Sequence, residues 1–276
     1  PEPVYLSMQD VATWKDTLEE EQQIQVKDAR DGKIYWVSKL KDGNIWMTQN
    51  LDLDLSTETT LTPADSDVTE NWTPSRATIA GASNLNTTNW ADDMYNPYSF
   101  DPGNYYFEDI YYDGIADCNY LTATCDHFAT TPYDLNGEHG HIGNYYNWSA
   151  AVASNDTSTT TAKGVDMSSS ICPKGWRLPH GRDSASGNDF ATLNTAYGGA
   201  TESDPDFALL ASPLFFVRGG YIYSGSLDNF ANHGYYWSST AYAGFGADNF
   251  AFSPGFVLTS DLLNRLYGFN VRCLAL

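Results

Sequence analysis

Basic side chains are scarce. The chain of 276 residues has 14 Lys plus Arg against 35 Asp plus Glu, a formal net charge of −21. Such a surface repels nucleic-acid phosphates and anionic membranes, so no nucleic-acid partner is expected. No run of eighteen apolar residues occurs, which argues against membrane insertion of this segment. It has no signal peptide and opens PEPVYL without Met, the pattern expected of a mature or trimmed chain. There is no repeat of fixed period. No Ser/His/Asp order, paired-carboxylate spacing or Gly-rich phosphate loop stands out, so no enzyme activity is expected. His180 and His233 are lone residues beside Gly.

Hydrophobic residues make up 42% of the chain, enough for the core of one large domain or two small ones. The mix of few Lys with much Asn, Thr, Ser and Tyr suits a secreted or cell-surface protein, hence an extracellular location. Four cysteines are present: Cys118, Cys125, Cys172 and Cys273. An even count in such a chain points to two disulfides, Cys118–Cys125 across a short loop and Cys172–Cys273 tying mid-chain to the C-terminal segment. The alternative is four buried free thiols.

Residues 1–23 read as a helical lead-in. In SMQDVATWKDTLEEEQQ (7–23), Val11, Trp14 and Leu18 share one helical face. KIYWVSKL and NIWMTQNL then form β-rich runs about Asp42-Gly43, a hairpin signal that opens the main domain, 24–276. Residues 52–135 are polar and aperiodic and read as a long loop insertion. GNYYNWSAAVAS (143–154) predicts a short helix with Trp148, Ala151 and Val152 inward. GNDFATLNTAYGG (187–199) predicts another, capped by Asp189 and stopped by Gly. From 207 onward, short strands alternate with Gly turns.

The pieces VKDARDGKIYWVSKLKDGNIWMTQNL, GNYYNWSAA, ICPKGWRLP, GYYWSST and YGFNVRC occur in that order. Together they resemble the Fibrobacter succinogenes major paralogous domain, a family of bacterial surface proteins, over most of 24–276. GWRLP also resembles the formylglycine-generating-enzyme family. The resemblance implies an α+β, C-type-lectin-like fold: two short helices, a twisted mixed or antiparallel sheet, long inserted loops and neighbouring termini. The Cys172–Cys273 pairing fits that closure. In GWRLP itself, Gly175 permits a turn, Trp176 offers apolar surface, Arg177 reaches a carbonyl or carboxylate, and Pro179 halts the strand. All of these, with Trp46, Trp148 and Trp237, are expected to form the fold rather than a site.

Relatives also include variable proteins of diversity-generating retroelements, in which miscopied template adenines turn Asn codons into many others. The frame WSST…GF-V-R-C about a changeable interior resembles such a variable region, here 238–273. Codons of the type NNY cannot encode Lys, Glu, Gln, Met or Trp, and none of these occurs from Ser238 to Leu276. Strand alternation would turn Phe250, Phe252 and Val257 to the core. Asp248, Asn249, Ala251, Ser253, Phe256 and Leu258 would then face out. Asp261, Leu262, Leu263, Asn264, Leu266 and Tyr267 form a second outward cluster, and Tyr242, Gly244, Phe245 and Gly246 a third. Exposed Phe, Leu and Tyr at such positions are of the kind that anchor interfaces on a rigid scaffold. The expected partner is a protein or glycan on another cell, phage or host surface. The alternative is a fixed adhesion module, with these residues in the core of the terminal sheet and SDLLNRLYGF as a turn packed inward.

The formylglycine relatives use a copper-bound cysteine pair just before the terminal frame. No cysteine occurs between 173 and 272, so that metalloenzyme chemistry is unsupported. Glu138, His139 and His141 in NGEHGHIG resemble two-residue metal spacing, but a solvated loop is the expected state. The ADD run at 91–93 and DPGNYYFED at 101–109 offer oxygen ligands without calcium-loop spacing, so calcium stays open and no other cofactor is expected. The sugar-binding E-P-N, Q-P-D and W-N-D triplets of calcium-dependent lectins are absent.

Overall fold

Short strands carry most of the order in the computed structural model, which describes residues 3–53, 143–153, 164–168, 170–182, 184–223, 226–229, 232–242 and 246–276. The chain enters through β1 (Leu6–Ser7), a 3-10 turn at Met8–Asp10, α1 (Val11–Trp14) and a second 3-10 turn at Lys15–Thr17. Val11, Trp14 and Leu18 are buried, as their spacing requires. The helix is shorter than predicted and ends at Leu18, whose backbone is extended. Residues 19–23 are all Glu or Gln, so no apolar side chain anchors a further turn.

β2 (Gln23–Lys27), β3 (Ile34–Lys39) and β4 (Ile45–Met47) form an antiparallel meander. The expected hairpin pairs Val37 with Met47 and Lys39 with Ile45. Gly43 turns it at φ +84°, a conformation glycine adopts without steric cost. Asp42 accepts hydrogen bonds from the Asn44 amide and, at 2.8 Å, from the Trp46 indole. α2 (Trp148–Ala151) is capped by the Asn147 side chain, with Trp148, Ala151 and Val152 buried. β5 (Val165–Asp166) and β6 (Trp176–Arg177) follow. α3 (Asp189–Ala196) buries Phe190 and Leu193, but its cap is Asn188, not Asp189. Asp189 is instead held by Arg177 at 2.6 Å. The chain continues through α4 (Phe207–Leu210), the hairpin β7 (Tyr221–Tyr223) and β8 (Ser226–Asp228), then β9 (Gly234–Ala241), β10 (Gly246–Ser253), β11 (Phe256–Asn264) and β12 (Leu274–Ala275).

The described strands form a sheet ordered β1-β2-β3-β4-β12-β6, a second ordered β11-β10-β9-β5, and the β7–β8 pair. The architecture is α+β, mostly sheet with a few short helices. The second sheet is covered on both faces. Tyr235, Trp237, Ala247 and Ala251 join one apolar cluster with Trp14, Trp148 and Trp176. Tyr236, Phe250, Phe252 and Val257 join another with Trp46, Phe190 and Phe216. The lead-in contributes Met8, Val11, Trp14 and Leu18 to the first cluster and is integral to the fold.

The expected Cys172–Cys273 disulfide is formed. Cys118 and Cys125, with most of the 52–135 insertion, lie outside the described residues. Near the last residues, Lys15 Nζ donates to the Leu276 carbonyl at 2.6 Å and Trp176 donates to the Met8 carbonyl at 2.8 Å. The disulfide closes a sequence separation of 101. Replacing both cysteines by Ala should lower unfolding free energy by about 3–5 kcal/mol in urea titrations. A loss below about 1 kcal/mol would show that backbone pairing alone holds the closure.

Candidate functional site

β9, β10 and β11 position the predicted variable region. In the β10–β11 register, Ala251 lies opposite Leu258, Asn249 opposite Asp261 and Ala247 opposite Leu263. Those residues share one face with Tyr235 and Trp237. Asp248 lies opposite Leu262 and Gly246 opposite Asn264 on the other face.

The expectation that Asp248, Asn249, Ala251 and Ser253 face solvent is not met: all four are buried. Strict in-and-out alternation requires one open face of the sheet. β10 is instead an inner strand with strands on both edges and packing on both faces. Phe250, Phe252 and Val257 do point into the core. The later residues differ. Phe256, Leu258, Asp261, Leu262, Leu263, Asn264, Leu266 and Tyr267 are all half-buried: among the described strands β11 is at the edge of its sheet, and Leu266 and Tyr267 lie in the turn after it. SDLLNRLYGF is therefore strand as far as Asn264, followed by a turn. Tyr242 and Gly246 are half-buried, and their carbonyls accept hydrogen bonds from Arg265 at 3.1 and 2.8 Å. Gly244 and Phe245 lie outside the described residues.

Two tyrosines that the sequence reading passed over complete the surface. Tyr223, 41% exposed, stacks on Tyr267 with ring centres 4.6 Å apart. Tyr221 meets Tyr267 edge-on at 5.1 Å and Tyr235 edge-on at 5.3 Å. His233 stacks on Tyr235 at 6.0 Å and lies 5.4 Å from Phe256. The result is a continuous aromatic run from Tyr223 to Phe256 beside the aliphatic Leu258 and Leu263. The alternation in Tyr221-Ile222-Tyr223, with Ile222 buried, was the available signal. Burial, and then the Asp228 carboxylate, raises the phenol pKa of Tyr221. For Tyr267, burial again leads, followed by Tyr221, Tyr223 and Asp228. Burial and then Arg218 lower the His233 pKa, so its imidazole is neutral at pH 7.

On the opposite face, the end of the sheet around Asp248 is polar and closed. Asp248 accepts from Ser260 Oγ at 2.7 Å, and its Oδ2 is buried. A Cβ on Gly181 would collide with that oxygen, so glycine is required by the close approach. Nearby, Asp166 accepts from Thr240 at 2.6 Å and Ser184 at 2.5 Å, and His180 lies 3.5 Å from Asp189. Burial and then Arg177 lower the His180 pKa. These groups satisfy one another rather than form a nucleophile–base pair. Among the described residues no three His, Cys, Asp or Glu side chains are placed to hold a metal ion. Glu138, His139, His141 and the acidic runs at 91–93 and 101–109 lie outside the described residues. Among those described, no helix is long and apolar enough to cross a membrane.

No protein-family model, curated protein or solved structure matches the chain.

Burial pushes the Asp248 carboxyl up to about 7. The folded state therefore holds this proton more tightly than the unfolded state. Its contribution to stability is greatest below about pH 4 and is lost as pH rises to about 7. Asp248→Asn should be more stable than the parent by about 2–4 kcal/mol at pH 8, with the difference shrinking toward zero near pH 4. Urea unfolding of both proteins at the two pH values checks this.

Proposed function

We propose that the chain is a non-catalytic binding protein of the extracellular bacterial surface. In this reading it is a C-type-lectin-like member of the Fibrobacter succinogenes major paralogous domain family. Its C-terminal segment is a retroelement variable region that presents a changeable face to a protein or glycan on another cell, phage or host surface. One observation carries the reading. Along β11, an edge strand among those described, and the turn after it, Phe256, Leu258, Leu263 and Tyr267 are only partly buried, beside the partly buried Tyr221 and the exposed Tyr223. Aromatic and aliphatic side chains on a rigid sheet edge are what a binding face needs and what a closed fold avoids. The disulfide fits an oxidising compartment. The shared sheet of β1 and β12 fits the closure of that fold.

A specific observation favours the second reading, a fixed adhesion or structural module. Asp248, Asn249, Ala251 and Ser253 are core, so this part of the segment does not tolerate free variation. The two readings divide at the DNA. On the proposed function, a near-identical repeat of codons 238–276 lies beside a reverse-transcriptase gene. Its differences should concentrate at Phe256, Leu258, Asp261, Leu262, Leu263, Asn264, Leu266 and Tyr267 and spare the four buried positions. Sequencing the flanking DNA decides it: no such repeat leaves the fixed module.

A further inference from the structure

We infer that the aromatic face recognises cationic groups, namely Lys or Arg side chains in a basic segment of a partner protein. This rests on the proposed binding face and names its ligand chemistry.

The charge distribution is the first support. Lys174 is the last lysine of the chain, and only Arg218, Arg265 and Arg272 follow Arg182 among basic residues. All three are fully buried and serve the interior. Arg218 is paired with Asp206 at 2.7 Å, Arg265 sits over the Trp148 ring at 4.3 Å, and Arg272 over the Phe216 ring at 4.1 Å. Over the same stretch the chain carries exposed or half-buried acids, among them Asp189, Glu202, Asp204, Asp228 and Asp261. The last third of the protein thus presents carboxylates and no lysine or arginine to its surroundings.

The rings are the second support. Tyr223 and Tyr267 stack, and Tyr221 stands at 85° to Tyr267, so π-faces of more than one orientation are offered at one place. Asp228 is exposed and lies directly opposite Tyr221 in the β7–β8 register, so its carboxylate stands on the same side of the hairpin as the Tyr221 ring. Asp261 acts electrostatically on Tyr235. Aromatic faces with a carboxylate at their rim attract a cation through the ring quadrupole and through Coulomb attraction together. An anionic partner would meet repulsion from these carboxylates. The neutral His233 adds no opposing charge at pH 7. The interior already uses the same chemistry, with arginines laid over Trp148 and Phe216.

The test uses the full chain and three capped hexapeptides, Arg-Gly, Gln-Gly and Glu-Gly repeats, titrated by calorimetry at low and at physiological salt. The Arg-Gly peptide should bind and the Glu-Gly peptide should not. Tyr223→Ala and Tyr267→Ala should each weaken Arg-Gly binding at least fivefold, and Asp228→Asn at least threefold. Asp10→Asn removes an exposed carboxylate outside the patch and should change it less than twofold. A cooperative unfolding transition that begins well above the assay temperature shows that each variant is folded. An equal loss from Asp10→Asn and Asp228→Asn would mean diffuse attraction to a −21 chain and would overturn the inference. Gln-Gly binding as tight as Arg-Gly, with the same dependence on Tyr267, would keep the binding face and remove the cationic ligand. If no peptide's binding responds to Tyr223 or Tyr267, the ligand chemistry falls. Were the flanking repeat found all the same, the variable reading would survive that result.

Discussion

Backbone hydrogen bonds made by residues 268–276 join the two large sheets, and the rest of the fold depends on them. The Phe269 and Tyr146 amides and carbonyls pair reciprocally at 2.9 and 2.8 Å. Asn270 bonds Tyr235 and Trp237 of β9, the Val271 carbonyl accepts from Leu51, and the Cys273 carbonyl accepts from Met47. Leu274 then pairs with both Trp46 and Arg177, so β12 is the link between β4 and β6. Phe269, Val271, Cys273 and Leu274 are buried, where an unmade backbone hydrogen bond is costly. The disulfide to Cys172 fixes this strand beside the segment that leads into β6.

The buried arginines follow from the same enclosure. Arg272 lies within the closing segment and donates to Asn50 at 2.8 Å and to the carbonyls of Leu214 and Phe215. Arg265 donates to the carbonyls that flank the β9–β10 connection, and burial lowers its pKa only to about 10, so it stays cationic at neutral pH. A guanidinium removed from water needs several acceptors at once: Arg272 has three, and Arg265 has the Tyr242 and Gly246 carbonyls. Because these arginines are used inside, the surface around β11 is left to carboxylates and tyrosines.

Much of the frame was legible in the residues. The Val11, Trp14, Leu18 spacing, the Asp42-Gly43 turn, the inward face of α2 and the Cys172–Cys273 pair all depend on local chemistry or on a count, and all are present. The helix end at Leu18 was misplaced because tertiary packing, not polarity, supports a helix that short. The cap of α3 was misplaced by one residue because Asp189 and Asn188 are both good capping residues, and Arg177 claims the aspartate. Period two in β10 was read correctly for Phe250 and Phe252. It failed for Asn249 because a strand sequence does not reveal that the cluster of Trp148 and Trp176 covers its second face, and for Asp248, which shares the face of Phe250 and Phe252, because the close approach of Gly181 comes from a distant loop. Tyr221 and Tyr223 were missed for a related reason: their place beside Tyr267 comes from hydrogen bonds between Ile222 and Gly268, far apart in sequence.

The segment from Ser238 to Leu276 divides into a closed frame and a partly open edge, and stability separates the two directly. The measurement is urea unfolding of single polar substitutions: Leu258→Ser, Leu263→Ser and Tyr267→Ser on the edge, against Phe250→Ser, Phe252→Ser and Phe269→Ser in the frame. The account predicts losses of about 1 kcal/mol or less on the edge and about 3 kcal/mol or more in the frame. Equal, large losses in both sets would contradict it, because the edge would then be core and not a face kept for a partner.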